Sequence, residues 1–350
     1  MSSDQRGLDL SQLERACRDL APHLTNGALV VGRSTVPVGT ASSIANLMNE
    51  LVADDGESVE VAWHPEFLRQ GHAVADSARP SRLVFGVASD AARSTLLKVY
   101  AAQVAAGVPV VVTSLASAEP AKLAANAMIS TRISFMNAVA EIAEVTAADI
   151  GDVSAVLALD DRLGSGALEA GLGFGGGRLP KDLRSFSEQA ADLGLGGPAR
   201  FLAQVDEINA DQMPRIVALA ERASGGSLKG RRVAVWGTAY KPGTDDLSES
   251  PAMGVAVELL TRGADVVVYD PRAGAAAALA CPALRHAEGA IEAATGADLV
   301  LVLTGWPEFA ALDPLVVSEV VRSRVIVDGR VSLDPGRWRR AGWQVHALGR

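Results

Sequence analysis

The amino-acid sequence predicts an α/β protein with two sheet-containing domains and a helical segment between them. Short apolar runs of strand length alternate with helical patterns in the first third of the 350 residues, and again in the last third. The middle third carries one long helical pattern, from about Ala118 to Ala148, with Pro120 expected in its first turn. These observations together indicate two α/β domains joined by a long central helix and a helical middle domain.

The first third contains four apolar runs that we predict to be buried strands of a mostly parallel sheet. They are ALVVG, VEVA, LVFGV and VPVVV, with helical segments between most of them. An α/β domain normally begins with a strand, a turn and a helix, whereas this sequence begins with the helical pattern LSQLERACRDLAPHL. We therefore predict a first domain over residues 1–115 whose sheet is incomplete at its N-terminal side.

The middle and last thirds complete the predicted domain organisation. Residues 116–225 form the helical domain, which is interrupted by a glycine-rich segment and followed by the linker ASGGSLKGR. Residues 226–350 resume the α/β pattern, since an amphipathic helix, PAMGVAVELLTRG, lies among strand-like runs. Those runs are RRVAVWG, ADVVVYDP, ADLVLVLTGW and SRVIVDGR.

Composition excludes several classes of protein. The formal net charge of −9 argues against nucleic acid or an anionic membrane as the main partner. The N-terminal residues do not have the pattern of a signal peptide, and no apolar run is long enough to span a bilayer. Two cysteines do not make a disulfide framework. We therefore expect a cytoplasmic protein without a metal site.

The glycine-rich segment from Gly171 to Leu183 is the first candidate site. Residues Gly171–Gly176 formally match G-x-G-x-x-G, but no strand precedes them and Pro180 follows soon after. The segment therefore does not have the context of a dinucleotide-binding turn. So many glycines allow backbone N–H groups to approach an anionic or sugar ligand closely. A flexible connector is the alternative interpretation.

Further candidates follow predicted strands or share a helix face. Ligands of open α/β sheets bind at the carboxyl ends of strands, where RSTVPVGT, WHPEFL, GTAYKPGTDD and DGR are placed. A solvated charged turn is the alternative for KPGTDD. Lys122 and Asn126 are four residues apart, so they share one face of the long helix.

In combination these segments resemble one family. STVPVGT, WHPEFL, AEPAKLAANAMISTRISFMNA, DRLG, GFGGGRLPKD, GTAYKPGTDD and DGR occur in the order typical of the UDP-glucose/GDP-mannose dehydrogenase family, nearest its UDP-glucose branch. The resemblance implies that both α/β domains are Rossmann-like and doubly wound. It also implies NAD as cofactor, a UDP-sugar as substrate, and oxidation of the sugar's primary alcohol to a carboxylate through a cysteine-bound intermediate.

The resemblance assigns roles to individual residues. Lys122 and Asn126 would stabilise an oxyanion, and Asp182 would orient a water or act as base with Thr35 and Glu66. Arg162 would reach the substrate of a neighbouring subunit. The residues implied to bind substrate otherwise are Phe67, Leu68, Phe174, Gly175, Gly176 and Lys241. Those implied to lie near the cofactor are Ser34, Thr35, Lys181 and Arg330.

Departures from the family pattern concentrate at these functional positions. Arg178 occupies the position of the nucleophilic cysteine, and a guanidinium is always protonated near neutral pH and offers no nucleophilic lone pair. His64, Gln70, Ser248 and Gly305 also differ from the family pattern. The strand–GxGxxG–helix segment that would bind NAD is not found in the sequence, so we do not expect this chain to bind NAD on its own.

Three hypotheses follow from the sequence. The chain is a working dehydrogenase whose start codon lies further upstream, or a non-catalytic protein that binds a UDP-sugar or partners another subunit, or a decaying gene product. The second would assemble as a homodimer or with an intact paralogue. We expect impaired or absent catalysis under the last two.

Overall fold

The protein divides into two compact units in a computed structural model that describes residues 10–52, 58–164 and 166–350. The first unit comprises the described residues up to Ala127 together with Asp182–Arg200. The second comprises the described parts of Met128–Lys181 and Phe201–Arg350. Each unit contains its own sheet, which confirms the α/β class. The division at residues 115/116 and 225/226 stays a prediction.

The sheet of the first unit consists of the four predicted apolar runs, in the order β1-β2-β3-β4. The β1–β2 and β3–β4 pairs are parallel, whereas β2 and β3 are antiparallel and meet at Trp63 and Gly86. The strands are β1 Leu29–Gly32, β2 Glu60–Trp63, β3 Leu83–Gly86 and β4 Val110–Thr113.

Amphipathic helices cover this sheet. The second of them buries Ala41, Ile44, Met48 and Val52, a spacing that places one apolar face against the sheet core. Cys17 belongs to the same core and is 5% exposed, as expected for a residue on an apolar helix face. The helices are α1 Ser11–Leu20, the 3-10 helix Ala21–His23, α2 Thr40–Val52, α3 Ala73–Ala78, α4 Asp90–Val99 and α5 Ala101–Ala105.

The long central helix, α6, spans Leu115–Thr146. It begins before the predicted Ala118, so Pro120 lies in the helix interior and not in the first turn. A proline there has no N–H to donate to the preceding turn, which costs the helix one hydrogen bond. The helices that follow are α7 Ile150–Ala158, α8 Leu179–Asp192 and α9 Gly196–Ala223.

Helix α6 buries a row of polar side chains beside its buried apolar ones. Polar side chains recur every three or four positions along its buried side, while several large apolar side chains are exposed. The buried polar residues are Glu119, Lys122, Asn126, Ser130, Ser134 and Asn137. The exposed apolar residues are Met128, Ile129, Phe135, Ile142 and Val145.

The sheet of the second unit has six parallel strands in the order β10-β9-β8-β5-β6-β7. This order is that of a doubly wound dinucleotide-binding fold, which confirms the fold class implied for this part of the chain. Two short strands, β7 and β10, were not predicted because neither forms an apolar run. The strands are β5 Arg232–Trp236, β6 Asp265–Tyr269, β7 Arg285–His286, β8 Leu299–Val302, β9 Val325–Asp328 and β10 Gln344–Ala347.

Helices pack on both faces of the second sheet. Val233 and Val235 belong to the core on one face, whereas Ala234 and Trp236 belong to the core on the other, as the two-residue period of a strand requires. The helices are α10 Pro251–Thr261, α11 Gly274–Ala280, α12 Ala290–Ala294, α13 Pro307–Ala311, α14 Pro314–Val320 and α15 Pro335–Arg340. No helix among the described residues is long and apolar enough to cross a membrane.

The strand order reverses between β5 and β8, and ligands of such sheets bind outside the carboxyl ends at this switch point. Gly237 follows β5 directly, with φ +96°, and a Cβ there would lie 2.4 Å from the side chain of Thr304, which follows β8. Only glycine allows the two strand ends to approach so closely. The KPGTDD turn begins four residues later, so this end of the sheet carries Lys241.

Candidate functional site

In the first unit, α6 and α8 bring three predicted catalytic residues together. Lys122, Asn126 and Asp182 are all buried, at 6%, 6% and 4% exposure. The Asn126 amide donates to Asp182 Oδ2 over 2.6 Å. Asp182 lies in the first turn of α8, where the partial positive charge of the helix N-terminus stabilises a carboxylate. The shared helix face predicted for Lys122 and Asn126 therefore points into protein and not into solvent.

Phe67, in the turn after β2, has two cations near its ring. The Arg82 guanidinium carbon is 3.8 Å from the centroid of the Phe67 ring, and Lys122 Nζ is 5.5 Å from it. Both distances are within the range of cation–π attraction. The ring therefore contributes to fixing the position of Lys122, which links the WHPEFL turn to the central helix. Arg82 was not predicted, because a single arginine before a strand carries no motif.

Both carboxylate oxygens of Glu66 have partners, one in the same turn and one directly after β1. It accepts the backbone N–H of Leu68 over 2.7 Å and forms an ion pair with Arg33. Its carboxylate is therefore oriented by a neighbouring cation and a backbone amide. A carboxylate held in this way has one defined direction, which a companion to a catalytic residue requires.

Ser34 and Thr35 lie on the turn between β1 and α2. Ser34 is exposed and its carbonyl accepts the Trp63 indole N–H over 3.2 Å, whereas Thr35 is half-buried. The far end of the turn is held by Glu119 of α6, which accepts the backbone N–H groups of Gly39 and Ala41. The turn is thus anchored at both ends.

His64 is a core residue. It is 4% exposed, its Nδ1 lies 2.8 Å from the Val84 carbonyl oxygen, and its ring packs edge-on against Phe85 and Tyr100. Burial lowers the pKa of His64 below 6.5. The departure from the family pattern at position 64 therefore changes the packing beneath the WHPEFL turn.

In the second unit, the glycine-rich loop uses several of its amides internally. Gly171 N–H donates to Asn137 Oδ1, Leu172 N–H to the Gly329 carbonyl, Phe174 N–H to Asn209 Oδ1, and Gly176 N–H to the Ser248 carbonyl, all over 2.7–2.8 Å. We expected backbone N–H groups of this loop to approach a ligand. These four do not, because protein acceptors already satisfy them.

The glycines of the loop allow close packing between backbone segments. A Cβ would lie 2.6 Å from the Gly329 carbonyl oxygen at Gly171, 2.2 Å from the Glu249 carbonyl oxygen at Gly175, and 2.7 Å from the Tyr240 ring at Gly176. None of these positions accepts a side chain without movement of its neighbours. The loop is therefore a fixed part of the second unit and not a flexible connector.

Arg330 binds three backbone carbonyls at the switch-point end of the second sheet. Its Nη1 donates to Gly173 over 2.6 Å, its Nε to Leu303 over 2.7 Å and its Nη2 to Tyr240 over 3.3 Å. Burial lowers the pKa of Arg330 to about 10, and Asp328 opposes this shift. Arg330 thereby joins the glycine-rich loop to the residue after β8 and to the residue before the KPGTDD turn. Its implied position near a cofactor stays a prediction.

Tyr240, Lys241 and Arg178 lie in the same part of the second unit. Lys241 Nζ is 5.7 Å from the Tyr240 ring centroid. Burial raises the pKa of Tyr240, as does Asp246, while the positive charge of Arg178 lowers it. Arg178 is exposed and comes directly before α8.

Two predicted site residues, Arg162 and Lys181, are exposed. Arg162 is exposed and forms a bidentate ion pair with Asp160, with its Nη2 2.6 Å from Oδ2, and this pair holds the pKa of Asp160 below its usual value. Lys181 is exposed in the first turn of α8. Their roles toward a second subunit and a cofactor stay predictions.

Asp270 is a site-building residue that sequence reasoning missed. Its Oδ2 accepts the N–H groups of Thr238 and Ala239 and the Trp306 indole, and its Oδ1 accepts those of Arg272 and Ala273. It thereby fixes the chain as it leaves β5 toward Lys241. The available signal was an aspartate directly after strand ADVVVY. Glu119, Asn137 and Asn209, which also hold loops of the site, carried no such signal.

The chain is similar to several known proteins over almost its whole length. It is 36% identical over 350 residues to a UDP-glucose 6-dehydrogenase of Pseudomonas aeruginosa, covering 98% of this chain and 77% of that protein. It is 38% identical over 336 residues to a UDP-glucose 6-dehydrogenase of Haloferax volcanii, covering 94% and 77%. Among solved structures, that of a UDP-glucose dehydrogenase from Pyrobaculum islandicum matches with a TM-score of 0.85 at 34% identity, covering 98% and 78%.

Family models match the chain in three consecutive segments. The NAD binding domain of the UDP-glucose/GDP-mannose dehydrogenase family matches residues 1–104, the central domain residues 116–211 and the UDP binding domain residues 234–335. The order of the three matches is that of the motifs described above. This chain belongs to the UDP-glucose/GDP-mannose dehydrogenase family, whose members are NAD-dependent nucleotide-sugar dehydrogenases.

Proposed function

We propose that this chain binds a UDP-sugar, UDP-glucose in particular, and does not complete its oxidation to the uronic acid. The observation that carries the proposal is Arg178, which stands at the end of the glycine-rich loop directly before α8. The relatives named UDP-glucose dehydrogenases and the match to the UDP binding domain support the choice of ligand.

Arg178 removes a nucleophile that the second oxidation needs. Capture of a sugar aldehyde requires a group that donates an electron pair to the carbonyl carbon, as a thiolate does. The guanidinium is cationic at every physiological pH and donates only hydrogen bonds. No covalent intermediate can form on it, so the aldehyde cannot be held for conversion to the acid.

The remaining residues support ligand binding. In the second unit, Lys241 lies at the switch-point end of a complete doubly wound sheet, where a diphosphate would meet its ammonium. In the first unit, Lys122 and the Asn126–Asp182 pair provide a buried cation, an amide and a carboxylate within one cluster. Taken by itself, such a cluster can donate to a hydroxyl oxygen and accept a hydroxyl proton.

The described residues do not provide the phosphate cradle that NAD requires. A dinucleotide's pyrophosphate binds backbone amides at a helix N-terminus that follows a strand and a glycine-rich turn. After β1, the amides at the start of α2 are already taken by Glu119, and four amides of the G-x-G-x-x-G segment have protein acceptors. The described residues therefore do not fit the pyrophosphate of NAD.

Calorimetry and product analysis test this proposal. We expect the protein to bind UDP-glucose more tightly than GDP-mannose, to bind no NAD, and to form no UDP-glucuronate from UDP-glucose and NAD. Release of about two NADH for each UDP-glucose would refute the proposed block. Absence of UDP-glucose binding by a cooperatively melting, monodisperse protein would refute the proposed ligand.

The variants Arg178→Cys and Arg178→Ala separate two causes of inactivity. If Arg178→Cys forms UDP-glucuronate and Arg178→Ala does not, residue 178 alone blocks the reaction. If neither variant forms it, the lack of a cofactor cradle contributes as well. Both variants are expected to retain UDP-glucose binding, because Lys241 and the buried cluster of the first unit are unchanged.

We also propose that the exposed apolar side of α6 is covered by a second copy of this chain. Met128, Phe135 and Ile142 follow one another at seven-residue intervals and are 63%, 58% and 61% exposed. This spacing forms a continuous stripe of the kind that packs against a partner helix. A contiguous apolar stripe of this extent marks an interaction surface.

Light scattering after size-exclusion chromatography tests this assembly. We expect a dimer for the wild type and a monomer for Phe135→Glu, because a buried unpaired carboxylate opposes association. Val74→Glu serves as the control, since Val74 is 86% exposed on α3, is not one of the stripe residues, and should leave the dimer intact. A monomeric wild type that associates only with a co-expressed intact paralogue would favour the mixed assembly.

A further inference from the structure

Glu119 is a buried carboxylate. None of the roles described above involves it in binding a ligand. It is 2% exposed and lies near the start of α6. Its Oε2 accepts the N–H of Gly39 over 2.7 Å, and its Oε1 accepts the N–H of Ala41. Both oxygens are thus acceptors of backbone donors about 80 residues away in the sequence.

The two amides belong to the N-terminal end of α2, which spans Thr40–Val52. The amides at a helix N-terminus lack acceptors within the helix and carry a partial positive charge, so they attract an anion. In P-loop and dinucleotide-binding folds, a helix N-terminus of this kind binds an external phosphate. Here the anion is an internal side chain, and it takes the place that a phosphate would occupy.

The same contact connects two functional segments of the first unit. The turn from Ser34 to Gly39 ends at the amides that Glu119 binds. On α6, Lys122 and Asn126 follow Glu119 by three and seven residues, so all three lie on one buried face. Since a helix is stiff over two turns, fixing Glu119 against α2 also fixes the distance from the turn to Lys122 and Asn126.

We propose that Glu119 is a positioning residue that closes the N-terminus of α2 to external anions and holds the Ser34–Gly39 turn against the Lys122–Asn126 face. The part that concerns ligand affinity rests on the proposed binding of a UDP-sugar. The part that concerns the turn itself does not depend on any ligand.

Amide hydrogen exchange measures the contact directly. In Glu119→Ala, exchange at Gly39 and Ala41 should rise about tenfold or more, because each amide loses a charged acceptor. Sodium acetate should reduce that exchange again, since acetate fits the space left by the side chain and supplies the same two acceptors. Chloride at equal ionic strength should not. Glu50→Ala removes a charge from the exposed side of the same helix and should change exchange at neither amide.

The isosteric Glu119→Gln variant distinguishes positioning from general stability. Its side chain has one oxygen acceptor and turns one NH₂ group toward a backbone donor, so the turn loosens while the packing volume is kept. We expect a smaller fall in melting temperature than in Glu119→Ala, faster exchange over residues 34–41, and weaker UDP-glucose binding by about fivefold or more.

Each outcome decides between the alternatives. If Glu119→Ala exchanges like Glu50→Ala, or if acetate has no effect on it, the proposed anion role is wrong. If Glu119→Gln loosens the turn but binds UDP-glucose like the wild type, Glu119 is structural and does not position the site. If the wild type itself binds no UDP-glucose, the proposed function fails, while the exchange results still decide the role of Glu119.

Discussion

Two neighbouring glycines of the loop before α8 should respond oppositely to the same substitution. At Gly175 a Cβ would lie 2.2 Å from the Glu249 carbonyl oxygen and 2.8 Å from Pro251 Cδ. Both obstacles are rigid, because one is backbone and the other a proline ring. At Gly177 the nearest atom to a Cβ is Ser248 Cβ, at the ordinary contact distance of 3.9 Å. Neither glycine has a positive φ, so backbone strain does not distinguish them.

Gly175→Ala should therefore destabilise the protein by about 2–3 kcal/mol, the usual cost of inserting a methyl group into a filled space. That corresponds to a fall in melting temperature of roughly 4–12 °C for a unit of this size. Gly177→Ala should be neutral or stabilise by up to about 1 kcal/mol, because alanine restricts the unfolded chain. Differential scanning calorimetry of both variants measures the difference. Equal melting temperatures would refute the description of the loop as a closely packed element.

Three further substitutions test other contacts of the structure. Arg330→Lys should lower the unfolding free energy by about 2–4 kcal/mol, since one ammonium cannot bind three separated carbonyls. The control Arg285→Lys, at an exposed ion pair, should lower it by less than about 1 kcal/mol in the same urea titration. Asp270→Asn should lower the unfolding free energy by about 2–4 kcal/mol, because an NH₂ group replaces an oxygen that accepts at least two donors. The control Asp313→Asn, at a helix N-cap, should have little effect. Equal losses in the two variants would contradict this role of Asp270. Burial lowers the pKa of His64 in the folded protein from its usual 6.5. Below pH 6.5 the unfolded chain therefore gains a proton at this residue that the folded chain does not. The unfolding free energy should thus fall from about pH 7 to pH 5 more steeply in the wild type than in His64→Asn. Parallel pH dependences for the two proteins would show that His64 is not the group responsible.

Much of the fold could be predicted from hydrophobic patterns alone. The strands β5, β6, β8 and β9 are continuous apolar runs because helices cover both faces of a parallel sheet, and such runs are visible in a sequence. Strand β10 is visible only in the structure. It lies at the edge of the sheet, where Gln344 is exposed and His346 is half-buried, so its pattern is mixed.

The candidate site was predictable where its residues form motifs and not where they act through backbone contacts. Asn126 and Asp182 were identified, and the hydrogen bond between them follows from their meeting on two helices. Arg82 and Asn209 could not be identified, because a cation over a ring or an amide clamped on a loop depends on tertiary placement alone. The glycine-rich loop was located correctly, but four of its amides bind protein acceptors, and composition does not reveal such contacts.

The buried polar row of α6 has a consequence for how the chain finds its alignment during folding. Apolar contacts have little directionality, so they distinguish one register of a helix from another less sharply than hydrogen bonds do. On α6, Asn126 meets Asp182, Ser134 Oγ donates to the Val205 carbonyl, and Asn137 accepts from Gly171. A shift of one turn would bury these groups without partners, at a cost of about 1–3 kcal/mol each. The polar face therefore admits one register, and substitutions along it should yield misaligned chains as well as weaker ones.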